Sequence, residues 1–431
     1  MVSPDTPAEA YLARRARLGI KFGLETMRAL TAALGHPERS FAVLTVAGTN
    51  GKGSVAAYVD AVLRASGVAT GRYTSPHLVR VHERITADGR EIGGAELEEA
   101  VGAVRDAADG LVAAGVLRDH PTYFEALTAA ALDHFRRRGV SVAVLEVGLG
   151  GRLDATNACD PVASAIVSVD FDHQELLGTT LAAIAGEKAG VLRRGRTTVV
   201  GPMSGEAREA IEREAAREGA RLLPAFAGVR VAHGAHGVDV ATPQAAYRAL
   251  RALPGAHQRD NLVVALRLLE CAREAGVPVD LAAVPEGIAA TRWPGRLQEV
   301  PGDPPLLLDG AHNAAGARAL AAHLRGRGPV VLLFGAMADK DVGAMAAALF
   351  PLAREVVLTR VGMERAALPE ELARRAGAHA SRAVLEVDVA RALDRARALA
   401  RPDATVVVAG SLYLVGAVLG RLAAEGTLTI A

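Results

Sequence analysis

Gly48-Thr49-Asn50-Gly51-Lys52-Gly53-Ser54 is the stretch of this 431-residue sequence that decides the fold. An apolar run with β-branched residues precedes it at 41–47, and a run rich in Ala and Val follows it at 55–64. A strand, a glycine-rich turn and a helix N-terminus form an anion site, because the backbone N–H groups can surround a phosphate and the helix start carries partial positive charge. Lys52 can reach the terminal phosphates of a nucleotide. The stretch therefore predicts a phosphate loop in an α/β fold.

The loop departs from the usual pattern G-x-x-x-x-G-K-[ST] at two positions. Val46 stands where the first glycine is expected, and Gly53 stands where the hydroxyl residue is expected, with Ser54 one position later. A glycine-rich turn that binds nothing is the alternative. The order of strand, loop, lysine and helix favours a nucleotide site.

Length and charge limit the class of protein. A chain of 431 residues is long for a single core, so two domains are expected. Lysine and arginine number 49 against 48 aspartates and glutamates, which argues against a nucleic-acid partner recognised by bulk charge. The sequence contains no run of about 20 apolar residues without charge or a turn signal, so no membrane span is expected.

The cysteine usage and the N-terminus bear on the cellular compartment. Cys159 and Cys271 are too few for a disulfide framework or a Cys-rich metal site, so we expect reduced, buried thiols in a cytoplasmic protein. The first five residues lack a basic region followed by an apolar core, so no signal peptide is expected.

Apolar runs alternate with helical patterns over the first two thirds of the chain. Near-continuous apolar runs ended by glycine are typical of buried parallel strands, and their alternation with helices predicts a doubly wound parallel sheet. Strands are predicted at 41–47, 69–75, 140–147, 163–169 and 197–200, helices at 6–35, 95–117, 122–138, 184–192 and 260–275, a polar loop at 80–93 and a small β appendage at 220–248.

Pro294-Gly295 then breaks the chain, and the α/β rhythm restarts beyond it. Strands separated by Ala- and Arg-rich helices are predicted at 305–308, 330–334, 355–359 and 405–409. We therefore divide the chain into an N-terminal mononucleotide-binding parallel-sheet domain at 1–293 and a smaller, Rossmann-like α/β domain at 294–431. Ligands bind beyond the carboxyl ends of such strands, so the residues that follow each strand are the functional candidates.

Three side chains at or just after the carboxyl ends of predicted strands are candidates for a magnesium site. Glu146 suits Mg²⁺, which prefers oxygen ligands and often bridges a protein carboxylate to phosphates; a capping or salt-bridging acid is the alternative. Ser75 could supply a hydroxyl ligand, although serine before proline is common in turns. His173 could bind a metal or a phosphate, or could be structural.

Lys188 lies in an otherwise apolar helical run. A solvated helix face is the default for such a lysine. A lysine held in a site can instead have a lowered pKa, and its neutral amine can then react with carbon dioxide to give a carbamate. Such a carbamate would add negative charge to the ligand shell of a metal.

Three residues after the domain junction suit nucleotide contacts. Asp309 and His312 lie on a turn after a predicted strand, and Arg296 could offer a bidentate fork to a phosphate; a surface salt bridge is the alternative for Arg296. Trp293, the single tryptophan, is expected to be a packing residue.

These stretches together resemble the folylpolyglutamate synthase/dihydrofolate synthase family, within the Mur-ligase group of ATP-dependent amide ligases. The extra Gly53 is that group's own form of the phosphate loop, and residues 74–78 and 150–157 are specific to the folate branch. The matching stretches run in the family's order along nearly the whole chain and lie at 48–54, 74–78, 124–125, 146–157, 170–173, 187–190, 294–296, 309–313 and 410–414.

The resemblance implies a role for each matched residue. Metal ligands would be Ser75, Glu146 and His173, and the residues serving catalysis would be Lys52, His173, Arg296 and a carbamylated Lys188. ATP would be bound by Thr49, Asn50, Gly51, Lys52, Gly53, Ser54, Asn261, Arg296, Asp309 and His312. The pteroate pocket would be lined by Lys21, Phe22, Gly23, Thr122, Tyr123, Phe124, Glu125, Leu153, Asp154 and Ala155.

The resemblance also implies the partners and the reaction. ATP would be a co-substrate with two Mg²⁺ ions, and L-glutamate would enter from the C-terminal domain's side of the cleft. The acceptor would be dihydropteroate or a reduced folate, and the protein would be a monomer. Our mechanistic hypothesis is that ATP phosphorylates the acceptor carboxylate and that the glutamate amine attacks the resulting acyl phosphate.

Two other functions remain open on the sequence. One is another Mur-type amino-acid ligase acting on a cell-wall nucleotide precursor, against which residues 74–78 and 153–155 argue. The other is a nucleotide-binding regulator that has lost catalysis, which is disfavoured because Lys52, Glu146, His173 and Lys188 are all present. The sequence does not decide between dihydropteroate, tetrahydrofolate or both as acceptor.

Overall fold

Buried strands alternate with helices along the N-terminal two thirds of the chain and assemble into one mainly parallel sheet. The structure is a computed structural model that describes residues 6–16, 19, 21, 23–234 and 236–427. Within this part of the chain the strands of the first sheet are β1 (Ala42–Ala47), β2 (Thr70–Tyr73), β3 (Ile85–Ala87), β4 (Arg90–Glu91), β5 (Val142–Glu146), β6 (Ala163–Ile166), β7 (Thr197–Val200) and β8 (Arg221–Pro224). Its helices are α1 (Pro7–Ala16), α2 (Glu25–Ala33), α3 (Lys52–Ala65), α4 (Gly94–Ala113), α5 (Tyr123–Arg137), α6 (Gln174–Leu177), α7 (Leu181–Lys188) and α8 (Gly205–Glu218).

The first sheet has the strand order β4-β3-β2-β5-β1-β6-β7-β8. Strand β3 pairs antiparallel with both β2 and β4, and the remaining strand pairs of the sheet are parallel. Side chains along a strand point alternately to the two faces of the sheet, so successive residues pack in the two hydrophobic cores on either side of it. In β5, Val142 and Val144 pack in one core, and Ala143 and Leu145 pack in the other. The predicted doubly wound parallel sheet is thereby confirmed.

A three-stranded antiparallel sheet follows, formed by β9 (Arg230–Gly234), β10 (Gly237–Ala241) and β11 (Ala246–Leu250). It is the predicted β appendage, with one correction. Residues 221–224 are not part of it, because β8 pairs with β7 at the edge of the first sheet. Helices α9 (Ala256–Glu274) and α10 (Val284–Ala290) then return the chain to the first domain.

The C-terminal third forms a second α/β unit around a six-stranded sheet. The strand order is β12-β13-β17-β14-β15-β16, and only β12 runs antiparallel to its neighbour in the described ladder. The elements are β12 (Gln298–Val300), β13 (Leu306–Leu308), α11 (Ala314–Leu324), β14 (Val330–Phe334), α12 (Val342–Leu349), β15 (Glu355–Leu358), α13 (Pro369–Ala376), β16 (Val384–Leu385), α14 (Val389–Ala400), β17 (Thr405–Ala409) and α15 (Leu412–Ala424). The predicted smaller C-terminal α/β domain is confirmed, and its exact start at residue 294 stays a prediction.

The predicted polar loop at 80–93 is wrong. The segment contains a 3₁₀ turn (Val81–Arg84) and the hairpin of β3 and β4. Asp88 and Gly89 form the hairpin turn with φ angles of 50° and 76°, the left-handed conformations that two-residue hairpin turns require. The Asp-Gly pair between short alternating runs was the signal for this hairpin.

Two expectations from the composition concern the cysteines and the hydropathy of the helices. Cys159 and Cys271 are both free and buried. Among the helices of the described residues, none is both long enough and apolar enough to cross a membrane.

Candidate active site

A single cleft of 790 Å³ collects most of the residues singled out in the sequence. One wall consists of loops that follow β1, β2, β5, β6 and β7, and the other consists of loops that follow β13, β14 and β17. The carboxyl ends of both parallel sheets therefore face this cleft, the position at which α/β proteins bind ligands.

The phosphate loop occupies the floor of the cleft between β1 and α3. Gly51 caps α3 with φ of 84°, a left-handed conformation that glycine adopts without steric cost. The neighbouring loop after β6 holds the turn in place: Thr49 Oγ1 accepts a hydrogen bond from Asp170 N at 3.1 Å, and Asn50 N donates to Ser168 Oγ at 3.0 Å. Lys52 Nζ folds back to within 3.3 Å of Thr49 O. The loop is preorganised for an anion at the start of α3.

Helix α9 supports the phosphate loop from the side. Gln258 Nε2 donates to Ser54 Oγ at 3.1 Å, and Asn261 Nδ2 donates to Gln258 Oε1 at 3.0 Å. A β-carbon at Gly51 would overlap the Asn261 amide oxygen. Asn261 thus lies at the predicted nucleotide site. Gln258 was not singled out, because its contact to Ser54 arises only from the packing of α9.

Ser75 and Glu146 lie together at the ends of β2 and β5. Ser75 N donates to Glu146 Oε2 at 3.1 Å, and the Glu146 side chain is buried. Burial raises the pKa of Glu146, against the opposing charges of Lys52, Arg296 and Arg84. A desolvated carboxylate at the edge of the cleft is suited to a divalent cation, and the nearby basic side chains are suited to its phosphate counter-ions.

His173 follows β6 in a left-handed conformation with φ of 50°. Burial lowers the pKa of its imidazole to about 4, so the ring is neutral at physiological pH. A neutral imidazole is the form that binds metals. Its Nε2 lies 3.9 Å from Asp172 Oδ1, and both residues line the cleft.

The donor set fits a divalent cation that is shared with a ligand. Among the described residues, no three His, Cys, Asp or Glu side chains are close enough to form a metal cage of their own. Glu146, Ser75 and His173 nevertheless all line the cleft and offer a carboxylate, a hydroxyl and a neutral imidazole. Magnesium in nucleotide sites commonly has one or two protein carboxylates and completes its shell with phosphate oxygens and water.

Lys188 ends α7 and is buried, so the solvated-face alternative is wrong. Its Nζ donates to Gly48 O at 3.0 Å at the start of the phosphate loop. Burial, aided by the charge of Lys52, lowers the pKa of Lys188 to about 7. A substantial fraction of the amine is therefore neutral and nucleophilic near neutral pH.

Arg296, Asp309 and His312 form the opposite wall. Asp309 receives hydrogen bonds from Leu297 N at 3.0 Å and Ala311 N at 2.9 Å, which fix its carboxylate. Burial lowers the pKa of Arg296, while Asp309 and Glu146 favour its charged form. Arg296 is thus not a surface salt bridge but a half-buried cation that lines the cleft opposite Glu146.

Polar side chains join the two walls directly. Asn313 Nδ2 donates to Asn50 Oδ1 at 3.0 Å and to Asp172 Oδ2 at 3.1 Å. Lys340 Nζ lies 2.6 Å from Asp172 Oδ1. Neither Asn313 nor Lys340 was singled out as a functional residue, because each acquires its partner only when the two domains meet.

An apolar recess adjoins the phosphate loop. Its lining includes Lys21, Gly23, Thr122, Phe124, Glu125, Leu153, Asp154 and Ala155, all of which were predicted. Tyr123 is not among the described residues that line it, because the Arg84 guanidinium covers its ring at 5.2 Å and the side chain turns into the adjacent core. Phe22 lies outside the described residues.

Two buried acids and one arginine give this recess its polarity. Glu125 Oε2 accepts from Thr122 N at 2.8 Å, whereas Glu125 Oε1 is buried without a partner among the described residues. Burial raises the pKa of Asp154, which accepts from Leu149 N at 2.9 Å. Arg84 also lines the recess, with its Nε 3.0 Å from His77 Nδ1. Arg84 was missed because it lies in the segment predicted to be a loop.

The sequence is similar to a known protein family and to several curated proteins. Residues 295–412 match the family "Mur ligase, glutamate ligase domain". The folylpolyglutamate synthase of Lacticaseibacillus casei is 35% identical over 431 residues, covering 96% of this chain and 97% of that protein. A probable bifunctional folylpolyglutamate synthase/dihydropteroate synthase of Haloferax volcanii is 40% identical over 418 residues, covering 93% of this chain and 48% of that protein. The chain thus spans about half the length of this relative and of the corresponding protein of Halobacterium salinarum.

Solved structures agree over the whole fold. Escherichia coli FolC in complex with DHPP and ADP superposes with a TM-score of 0.88 at 30% identity, covering 99% of this chain and 100% of that one. A bifunctional folylpolyglutamate synthase/dihydrofolate synthase with Mn, AMPPNP and L-glutamate bound gives a TM-score of 0.86 at 32% identity, covering 98% of this chain and 99% of that one.

Proposed function

Because the chain belongs to the folylpolyglutamate synthase/dihydrofolate synthase family of the Mur ligase superfamily, we propose that it is an ATP-dependent ligase joining L-glutamate to a pteroate or folate carboxylate. The observation that carries the proposal is the shared cleft. A phosphate loop, a divalent-cation donor set and an apolar recess with buried acids open into the same 790 Å³ space.

The acceptor occupies the apolar recess in this proposal. Phe124 and Leu153 provide apolar surface for a flat heterocycle, and the free Glu125 Oε1 provides an acceptor for its N–H groups. Relatives with solved structures were bound to DHPP or to L-glutamate. Dihydropteroate and tetrahydrofolates are therefore the acceptors we propose, and L-glutamate enters from the side of the domain at 294–431, opposite the ATP-binding domain at 1–293.

The phosphates of ATP lie on the loop in front of α3. Backbone N–H groups of the loop and Lys52 offset charge on the β- and γ-phosphates, and Arg296 offsets it from the opposite wall. The loop itself is formed by Thr49, Asn50, Gly51, Gly53 and Ser54. The nucleoside part of ATP is contacted by Asn261, Asp309 and His312. A bound divalent cation would neutralise phosphate charge and orient the γ-phosphate toward the carboxylate.

Ser75, Glu146 and His173 would hold that cation, which we propose to be Mg²⁺. Manganese accompanies AMPPNP in a related structure. The presence of two Mg²⁺ ions stays a prediction, as do the monomeric state and the cytoplasmic location.

The reaction consists of two transfers. The acceptor carboxylate oxygen attacks the γ-phosphorus of ATP, and the bond to the β-phosphate oxygen breaks, giving an acyl phosphate and ADP. The glutamate amine then attacks the acyl carbon, loses a proton, and expels inorganic phosphate to leave an amide. The residues that join the two walls exclude water from the acyl phosphate, which would otherwise hydrolyse.

Lys188 acts as a carbamate in this proposal. Its amine is buried beside the phosphate loop with a pKa near 7, so it can add carbon dioxide and become an anion. The anion would face Lys52 and support the cation site.

An acceptor-dependence assay tests the proposal. ADP release is measured with L-glutamate and one acceptor at a time, namely dihydropteroate, tetrahydrofolate or a UDP-sugar precursor of the cell wall. We expect ADP release only with a pteridine acceptor and only when glutamate is present. Release with the UDP-sugar would identify a cell-wall ligase instead, and no release with any of the three acceptors would favour a nucleotide-binding regulator.

A further inference from the structure

The single tryptophan of the chain packs directly on the phosphate loop. A β-carbon built at Gly53 would lie 2.5 Å from Trp293 Cζ2 and 2.9 Å from Trp293 Cε2, well inside the contact distance of carbon atoms. Gly53 is the second residue of α3 and stands where ordinary phosphate loops carry Ser or Thr. The indole therefore fills the space of the side chain that Gly53 lacks.

A cation also packs on the indole ring. The Arg72 guanidinium lies 5.1 Å from the ring centroid, within the range of a cation–π contact. Arg72 Nη1 is 3.4 Å from Asp60 Oδ2, and the fully buried Asp60 also accepts a hydrogen bond from Thr70 Oγ1 at 2.7 Å. Because Asp60 belongs to α3 and Arg72 to β2, the indole is fixed between the phosphate-loop helix and the neighbouring strand.

The chain before and after Trp293 connects the contact between Trp293 and Gly53 to the C-terminal wall of the cleft. Upstream, α10 packs on α3 so closely that a β-carbon at Gly287 would lie 2.5 Å from Val62 Cα. Downstream, Gly295 O accepts a hydrogen bond from Gly310 N at 2.8 Å, next to Asp309. Arg296, which lines the cleft, follows Trp293 by three residues. The linker at 293–296 therefore has one end on the phosphate loop and the other on the C-terminal wall.

We propose that Trp293 is a positioning residue that sets the start of α3 relative to the linker and so couples nucleotide binding at the loop to the placement of Arg296. Trp293 is not among the described residues that line the cleft, so it acts through Gly53 and the linker rather than on ATP. The inference rests on the proposed function only in requiring that the loop binds nucleotide.

A double-mutant cycle with ADP and Mg²⁺ as the probe tests the contact. Gly53→Ala places a methyl group against the indole, and we expect a roughly tenfold or larger rise in the Kd for ADP. Trp293→Phe removes the bicyclic edge of the indole, including Cζ2, the atom nearest the Gly53 β-carbon, so in the Trp293→Phe background the same Ala substitution is expected to raise Kd by less than about threefold. Gly110→Ala in α4, where the added β-carbon meets nothing within 4 Å, is the matched helical control and should have no effect in either background.

Intrinsic fluorescence of the wild-type chain provides the second readout, since all tryptophan emission comes from Trp293. We expect the emission to change with ADP concentration and to saturate at the Kd measured independently by calorimetry. Additive effects of the two substitutions, or emission that does not respond to bound ADP, would overturn the inference while leaving the proposed function intact. Failure of the wild-type protein to bind ADP would overturn both the inference and the proposed function.

Thermal unfolding of each variant separates loss of fold from loss of affinity for ADP.

Discussion

Lys340 Nζ lies 2.6 Å from Asp172 Oδ1 and joins a cation of the C-terminal domain to a carboxylate of the N-terminal domain. The two side chains are only 9% and 7% exposed. Burial acts to raise the pKa of Asp172, but His312 and Lys340 hold that pKa well below its ordinary value. The carboxylate is therefore ionised at physiological pH and depends on Lys340 and on its hydrogen-bonding neighbours to offset the cost of burial.

Replacing Lys340 with methionine tests this joint. We expect Lys340→Met to lower the free energy of unfolding by about 3 kcal/mol, because the buried Asp172 carboxylate loses its lysine partner and keeps only His312 and the Asn313 amide. Chemical denaturation followed by circular dichroism measures the change. Arg354→Met is the control, since Arg354 pairs with the exposed Asp403 and should cost less than about 1 kcal/mol. Equal losses in the two variants would contradict the structural role of the buried pair.

Glu146→Gln tests the cation site. The amide keeps the size of the side chain but removes the negative charge, so we expect the Mg²⁺ concentration for half-maximal rate to rise by at least about 10–100-fold. Steady-state ADP release at varied Mg²⁺ measures the shift. Glu99→Gln on the exposed face of α4 is the control. A wild-type Mg²⁺ dependence in Glu146→Gln would exclude Glu146 from the site.

Lys188→Ala tests the carbamate. We expect a fall in turnover of about 100-fold, partly restored by added acetate, because a short carboxylate can replace the lost anion in the cavity. Full activity without acetate would rule the carbamate out.

The lowered pKa of Lys188 also predicts that the activity of the wild-type enzyme depends on pH. Only the neutral amine adds carbon dioxide, and the pKa of Lys188 is about 7, so activity that depends on carbamate falls as the pH drops below 7. The acetate-restored Lys188→Ala variant should lack this acidic decline between pH 7 and 6. An unchanged decline in that variant would assign it to another group.

Gly148→Ala tests the acceptor recess. The added β-carbon would lie 2.5 Å from Phe124 Cζ, so the ring must move. We expect the KM for the pteridine acceptor to rise about tenfold while the Kd for ADP stays unchanged. Gly94→Ala, where the added atom meets nothing within 4 Å, is the control. A rise in the ADP Kd with no change in acceptor KM would place the recess elsewhere.

The main strands were predictable from the sequence because buried parallel strands consist of unbroken apolar runs. The runs at 140–147 and 330–334 correspond to β5 and β14. Once the strands were predicted, the phosphate loop and the residues after each strand could be located as well. In a parallel sheet the topology alone brings the carboxyl ends of the strands to one edge of the sheet.

Tertiary packing decides what the sequence could not reveal. Lys188 carries no pattern that distinguishes a solvated helix face from burial against Gly48. Gln258 and Lys340 acquire their partners only when α9 and the C-terminal domain pack against the first sheet. The resemblance accounted for Gly53 as a family feature, but no sequence pattern showed that Trp293, 240 positions along the chain, fills the space of its missing side chain.

Product analysis tests the central claim most directly. The protein is incubated with ATP, Mg²⁺ and L-glutamate, and with dihydropteroate and tetrahydrofolate in separate reactions, and the products are identified by mass spectrometry. The proposed function predicts that at least one acceptor gains a glutamyl residue through an amide bond, with one ADP and one phosphate released per residue added. Hydrolysis of ATP without a glutamylated product from either acceptor would contradict it.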